Sequence, residues 1–166
     1  MKVACSADRL LDVARLGLDR EADRVHLQDI VETVAVRLDT PFVIIDVLLD
    51  DAQVFLAEHG PVPAWIAEVG GTPLEWALCT PLITERAPRV VPDLTADPMF
   101  RDNPLVTVEG LRSYIGAPLI SHRGHVLGGI CGVDVRTREF APAEIAYLQE
   151  MAAETVDRLE SYAGPG

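Results

Sequence analysis

The 166-residue chain is poor in aromatic residues, 5% of the total, and has only three cysteines, Cys5, Cys79 and Cys131. It has no apolar run near the ~18 residues needed to cross a bilayer. Its first residues break into Cys5-Ser6-Ala7-Asp8-Arg9, without the unbroken apolar core of a secretion signal. These two absences make a cytoplasmic location the expectation. An odd number of cysteines without metal-type spacing argues against a disulfide framework or a zinc site. In a reducing compartment Cys79 and Cys131 read first as small, buried apolar side chains that stay reduced. Positive charge is scarce as well: 14 Lys and Arg stand against 26 Asp and Glu, a formal net charge of −12. Such a field repels nucleic acid and anionic lipid, so neither nucleic acid nor membrane is an expected partner. Repeats and low-complexity tracts are also missing.

What is present is an ordinary soluble composition, 49% hydrophobic and 24% charged, enough for one domain with a real core. The dominant stretch is Arg112 to Val135. Two apolar, β-branched runs flank a polar turn centred on Arg123-Gly124, the pattern of a β-hairpin. In that register Ser113, Ile115, Ala117 and Leu119 share a face with Val126, Gly128, Ile130, Gly132 and Asp134. Tyr114, Gly116, Pro118 and Ile120 share the other with Leu127, Gly129, Cys131 and Val133. Both faces are mainly apolar, which predicts a central hairpin covered on both sides. Glycines inside a strand imply that a helix, a ligand or another side chain approaches closely.

Around it, Ser6 caps a first helix carrying Leu10, Leu11, Val13 and Leu18, followed by a charged joint at residues 19–24. Leu27, Ile30, Val31, Val34 and Leu38 form one stripe of a second helix, stopped by Thr40-Pro41. Phe42 to Leu49 reads as a buried strand and Gln53 to Glu58 as its hairpin partner across Asp50-Asp51. Thr72-Pro73-Leu74-Glu75 has capping-box spacing, so helix is expected between Pro73 and Arg86, with Thr80-Pro81 as a second possible start. Arg89 to Val91 reads as a short strand. Asp93 to Asn103 reads as a loop with one helical turn capped by Asp97, begun by Pro98 and blocked by Pro104. A last helix starts at Pro142 and is closed by Gly164-Pro165-Gly166. The expected class is α+β, with a central antiparallel sheet of five to six strands, terminal helices on one face and a helical and loop insert on the other. The expected organisation is an N-terminal helix and joint over 1–24, the domain proper over 25–162 and a tail over 163–166.

Several segments together resemble a GAF domain: Leu78-Cys79 to Arg86, Val90-Val91-Pro92-Asp93, Asp97-Pro98-Met99-Phe100-Arg101-Asp102-Asn103-Pro104-Leu105-Val106, Tyr114-Ile115-Gly116-Ala117-Pro118-Leu119, and the glycine-rich run Gly124 to Asp134. The resemblance covers roughly residues 25 to 160. It implies strand order 3-2-1-6-5-4, a small-molecule pocket on the sheet face opposite the terminal helices, and a sensory role. The third strand has no clear candidate. Pro118 is expected to lie beyond the reach of the short strand at Arg89 to Val91.

Specialised members of that family are marked by residues absent here. The Asn-Lys…Phe…Asp-Glu signature of cyclic-nucleotide binding is missing. Cys79 precedes Thr80 rather than the His common in bilin binders. The closely spaced cysteines of free-methionine-sulfoxide reductases are not matched by Cys79 and Cys131. A haem-binding member would need an inward His, for which His59 is the only candidate outside the hairpin and the first helical region. No catalytic set, metal site or nameable cofactor emerges; His122 and His125 bracket an exposed turn.

The leading expectation is a non-enzymatic sensory module that binds an unidentified small molecule, signals through its terminal helices to a signalling protein, and forms a homodimer through those helices. A thiol-based redox protein using Cys79 or Cys131 and a ligand-free dimerisation scaffold are the alternatives. The expected ligand site lies over the face of Tyr114 and Cys131, walled by Leu78, Cys79, Leu82, Val91, Phe100 and Val106, with Asp93 and the Asp97 to Asn103 loop supplying polar groups. Trp76 or Phe100 filling the space over the glycines is the competing outcome.

Overall fold

In the computed structural model, residues 6–18, 21–61 and 70–163 are described. Cys5, Trp65 and the closing Gly164-Pro165-Gly166 lie outside them. The elements are α1 (Ala7–Leu16), α2 (Glu21–Leu38), β1 (Phe42–Leu48), β2 (Ala52–His59), β3 (Gly71–Pro73), α3 (Thr80–Glu85), β4 (Arg89–Val91), α4 (Pro104–Thr107), β5 (Ser113–Ile120), β6 (Val126–Asp134) and α5 (Pro142–Ala163). Six strands form one antiparallel sheet in the order β3-β2-β1-β6-β5-β4. The fold is α+β, with β1 and β6 side by side at the centre.

The sheet separates two cores. On one face the α2 stripe Leu27, Ile30, Val31, Val34 and Leu38 packs with Leu148, Ala152, Val156 and Leu159 of α5 against Val43, Ile45, Val47, Ile115, Ala117 and Ile130. Burying this many aliphatic side chains, at roughly 1.5–3 kcal/mol each, is what holds the layer. On the other face the segment between β3 and β5 packs Leu74, Leu78, Leu82, Leu94, Phe100 and Val106 against Leu48, Tyr114, Cys131 and Val133.

α1 folds back onto α5 and β6 of its own chain. Arg9, nearly fully buried, donates to the carbonyls of Leu48, Val126 and Leu127. Val13 and Leu16 join the helix-side core, and Leu11 stays exposed. The apolar side of this helix is therefore largely covered within the chain, the outcome opposite to one that leaves it for a second copy.

Local differences from the sequence reading have specific causes. The charged joint shortens because α2 already begins at Glu21. Thr72 caps nothing: it lies in β3 and its hydroxyl donates to Gln53 Oε1 at 2.8 Å. The helix expected from Pro73 is one 3-10 turn, Leu74–Trp76, and the α-helix starts at Thr80 with Pro81 in its first turn. Asp93 caps a 3-10 turn at Leu94–Ala96, while Asp97 accepts from Met99 N outside any helix. Pro104 begins a helix rather than blocking one, because Asn103 Oδ1 caps it from Leu105 N. A register shift beside Ile120 pairs it with Val126 and leaves Leu127 extra. Leu127 thus joins the helix-side core and Val126 the insert side, the reverse of a regular hairpin. Arg89 to Val91 pairs only with Tyr114 to Gly116, so Pro118 is beyond β4.

Candidate functional site

Strand alternation sends Val43, Ile45 and Val47 of β1 to the helices and Phe42, Ile44, Asp46 and Leu48 toward the insert. Asp46 is a carboxylate in the middle of an apolar strand with no solvent exposure. Such a group is tolerated only when hydrogen bonds replace water. Gln53 Nε2 donates to Asp46 Oδ2 at 2.6 Å and Gly129 N donates to Oδ1 at 2.9 Å. A bulge between Ile45 and Asp46 sets the β1–β2 register, pairing Asp46 with Phe55 and Leu48 with Gln53. Thr72 completes a buried chain from β3 through Gln53 to Asp46.

Two thiols meet this carboxylate. Cys79 stands just before α3, Cys131 lies mid-β6, and the ligating atoms of Asp46, Cys79 and Cys131 are all within 4.8 Å of one another. Tyr114, fully buried, donates its hydroxyl to Cys79 Sγ at 3.3 Å. Burial pushes the Asp46 carboxyl up to about 6, against the opposing hydrogen bonds from Cys79, Gln53 and Gly129. The Cys131 thiol, burial and the Asp46 charge push the Cys79 thiol well above its ordinary value. Burial, then Cys79, does the same to Tyr114. A carboxylate and two thiols are donor types for a soft divalent cation, but the environment holds Cys79 protonated until such an ion displaces the proton.

The close approaches that the glycines implied are side chains at Gly116 and Gly129 and the Asp46 backbone carbonyl at Gly128. The Tyr114 hydroxyl lies over Gly116, where any Cβ would collide with it. Leu82 Cδ1 comes within 2.7 Å of where a Gly129 Cβ would stand, and Cys79 Sγ within 3.3 Å. Tyr114, Leu82 and Cys79 fill the space over the glycines, where a ligand was expected and Trp76 or Phe100 was the competing occupant.

A cavity of about 150 Å3 opens further along the same face, toward β1 and β2. Phe42, Ile44, Phe55 and Val133 form its sheet wall; Pro61, Leu78, Leu105 and Leu111 form the insert wall. Gln53, Thr72, Cys131 and Glu109 are its polar groups. Of the expected site residues, Leu78 and Cys131 border this cavity. Cys79, Leu82, Val91, Phe100, Val106 and Tyr114 pack together in the adjoining core without lining it. Asp93 is half-buried and spends Oδ1 on the amide and hydroxyl of Thr95, so the expected partner of Tyr114 is replaced by Cys79. Asp46, Gln53 and Thr72 escaped the sequence reading. The signal for Asp46 was there: one carboxylate inside a buried β-branched run demands partners.

At the opposite end of the hairpin a second polar cluster joins three elements. Asp12 of α1 accepts from Ser121, from Arg15 at 2.9 Å and meets His125 Nδ1 at 3.0 Å. Burial opposes its ionisation, but these bonds outweigh burial and hold the carboxyl below its ordinary value. Glu160 of α5 pairs with Arg15 at 2.8 Å and accepts from His122 N at 2.7 Å. His122 and His125 are thus engaged by carboxylates of the terminal helices and do not face each other as a metal pair.

Residues 25–156 match the sequence model of the GAF domain. This chain belongs to the GAF domain family. A cyclic di-GMP phosphodiesterase of Pseudomonas aeruginosa is 31% identical over 151 residues, covering 90% of this chain. The chain spans about a quarter of that relative's length. Among solved structures, the GAF domain of an Acinetobacter phosphoenolpyruvate-protein phosphotransferase superposes with a TM-score of 0.71 at 18% identity, covering 96% of this chain and 95% of the other. A free methionine-R-sulfoxide reductase of Neisseria meningitidis, solved with its substrate, superposes with a TM-score of 0.68 at 20% identity, covering 98% and 92%. At these identities the structures establish a shared fold. Among the described residues, no helix is long and apolar enough to cross a membrane.

Proposed function

We propose that this GAF domain is a non-enzymatic sensory module whose ligand enters the cavity between β1–β2 and the insert. The observation that carries this reading is the contrast between an apolar cavity backed by a satisfied polar chain, Thr72-Gln53-Asp46, and the closed core on the opposite face. Of the strands that floor the cavity, β1 and β2 carry α2, and β6 carries α1 and part of α5, whose main support is β5. A ligand that favours one packing of β1 and β6 biases the position of those helices. The Pseudomonas phosphodiesterase, which holds a similar segment in a quarter of its length, supports coupling to an output domain elsewhere in a chain or to a partner signalling protein. Native mass spectrometry of freshly purified protein tests the reading: a retained small molecule lost on blocking the cavity with Leu111→Trp is the expected result.

Pairing of two copies belongs to the same reading. Val25 and Val36 are exposed on α2, beside a groove bordered by Tyr147 and Met151 of α5. The helical layer, rather than α1, carries the candidate dimer surface. Light scattering showing only an 18 kDa species at micromolar concentration counts against it.

A thiol-redox reading has one specific observation in its favour, the closeness of Cys79 and Cys131. The raised Cys79 pKa opposes it, because the thiolate is the reactive form. Slow native labelling of both thiols, with no disulfide formed by peroxide, is expected.

A further inference from the structure

The walls of the cavity also bear on what kind of molecule it accepts. Its volume, about 150 Å3, matches apolar cavities that hold a benzene-sized guest. Phe42, Ile44, Phe55 and Val133 offer flat and branched apolar surface suited to a ring.

Charge narrows the choice. Among the described residues that line the cavity, Glu109 is the one with a formal charge. Arg112 follows Leu111 but directs its guanidinium to the carbonyls of Val106 and Leu111 and is not part of the wall. An anion placed here would lose water without gaining a counter-charge, which is costly.

Hydrogen-bond polarity narrows it further. Asp46 holds the nitrogen of the Gln53 amide, so the amide oxygen turns to Thr72. The Thr72 hydroxyl hydrogen is spent on that oxygen and on the Pro73 carbonyl. Thr72 Oγ1 therefore remains able to accept, and the Cys131 thiol is only a weak donor.

We propose that the cavity takes a compact, mainly aromatic molecule bearing a hydrogen-bond donor, such as a hydroxyl, ring N–H or ammonium group, and no anionic group. The proposal rests on the reading of the cavity as the sensory site. It disfavours phosphate-bearing nucleotides and free amino-acid carboxylates at this position.

Three probes of one ring size test it: benzylamine, benzyl alcohol and benzoate, titrated into the full chain and followed by backbone amide NMR shifts. Benzylamine and benzyl alcohol are expected to bind saturably, with the largest shifts at Gln53, Thr72, Cys131 and Val133. Benzoate is expected to bind at least about tenfold more weakly, from the missing counter-charge. Leu111→Trp is expected to remove the response; should that variant not fold, the wild-type shift map decides alone. Benzoate binding as tightly as benzylamine, with the same amides shifted, overturns the ligand class and leaves the cavity as the site. No shift at those amides with any probe at millimolar concentration overturns the cavity reading, and this proposal with it.

Discussion

On the helix side of the sheet, Val43, Ile45, Val47, Ile115, Ala117 and Ile130 share one apolar core with α2 and α5. On the insert side, the same strands place Asp46, Gln53, Cys131 and Tyr114 in the interior and leave a cavity beside them. The centre of the helix face is closed by apolar packing, and Arg9 and Asp12, buried polar groups on that face, come from α1. The other needs a continuous set of hydrogen bonds to be tolerated, and a half-satisfied set is worse than an apolar one. A domain that only had to fold would gain nothing from the second arrangement. Its presence opposite a uniform core is the physical reason to place function there.

The largest effect that sharpens this contrast is a cavity mutation on the closed face. Ile130→Ala is expected to cost about 2–5 kcal/mol in chemical denaturation. Leu78→Ala, beside space that already exists, is expected near the lower end of that range, because it has fewer contacts to lose. Equal costs would erase the distinction between the two cores.

Next comes Asp46. Its carboxyl titrates near 6 in the folded chain against 3.8 as the reference value. The folded state therefore holds a proton that the unfolded state releases between those values. The stabilising contribution is fully present below pH 3.8 and is lost as pH rises through 6. The two-unit difference corresponds to on the order of 3 kcal/mol. Asp46→Asn removes this titration, so its stability relative to the parent is expected to rise between pH 4 and 6.5 by that order. A pH-independent difference would mean that the charge is not buried as described. Asp12 and Asp134, whose pKa values are lowered, act in the opposite sense at more acid pH.

Much of this architecture was legible in the sequence. The α2 stripe, the two hairpins, the helix at Pro142 and the central place of β1 and β6 followed from periods of 3.6 and 2 and from turn residues. β3 was not, because three residues carry no periodicity and Thr72-x-x-Glu75 spells a helix start equally well. The exchange of Val126 and Leu127 depends on one unpaired residue that composition does not mark. For the site, Leu78, Cys79, Leu82, Val91, Phe100, Val106, Tyr114 and Cys131 share the insert-side core, but of these only Leu78 and Cys131 border the cavity. The polar chain was missed, since linking Asp46 to Gln53 and Thr72 requires the pairing of β1, β2 and β3. The cavity itself sits beyond Tyr114 because that ring turns back over Gly116.

Smaller effects separate filling from lining. Tyr114→Phe removes a hydroxyl that bonds Cys79 and not the cavity, so a loss of about 1 kcal/mol and an unchanged response to benzylamine are expected in thermal melts. A weakened response would move Tyr114 into the site. His122→Gln, at an exposed pair with Asp157, is expected to change stability by less than about 0.5 kcal/mol.

The central claim is that occupancy of the insert-side cavity reaches the terminal helices. Hydrogen exchange by mass spectrometry, with and without saturating benzylamine, tests it directly. The account predicts protection across the insert, at residues 74–85 and 104–111, together with altered exchange in the His122 to His125 turn and in the half of α5 that carries Glu160. Protection confined to the insert, with the turn and α5 unchanged, would contradict it.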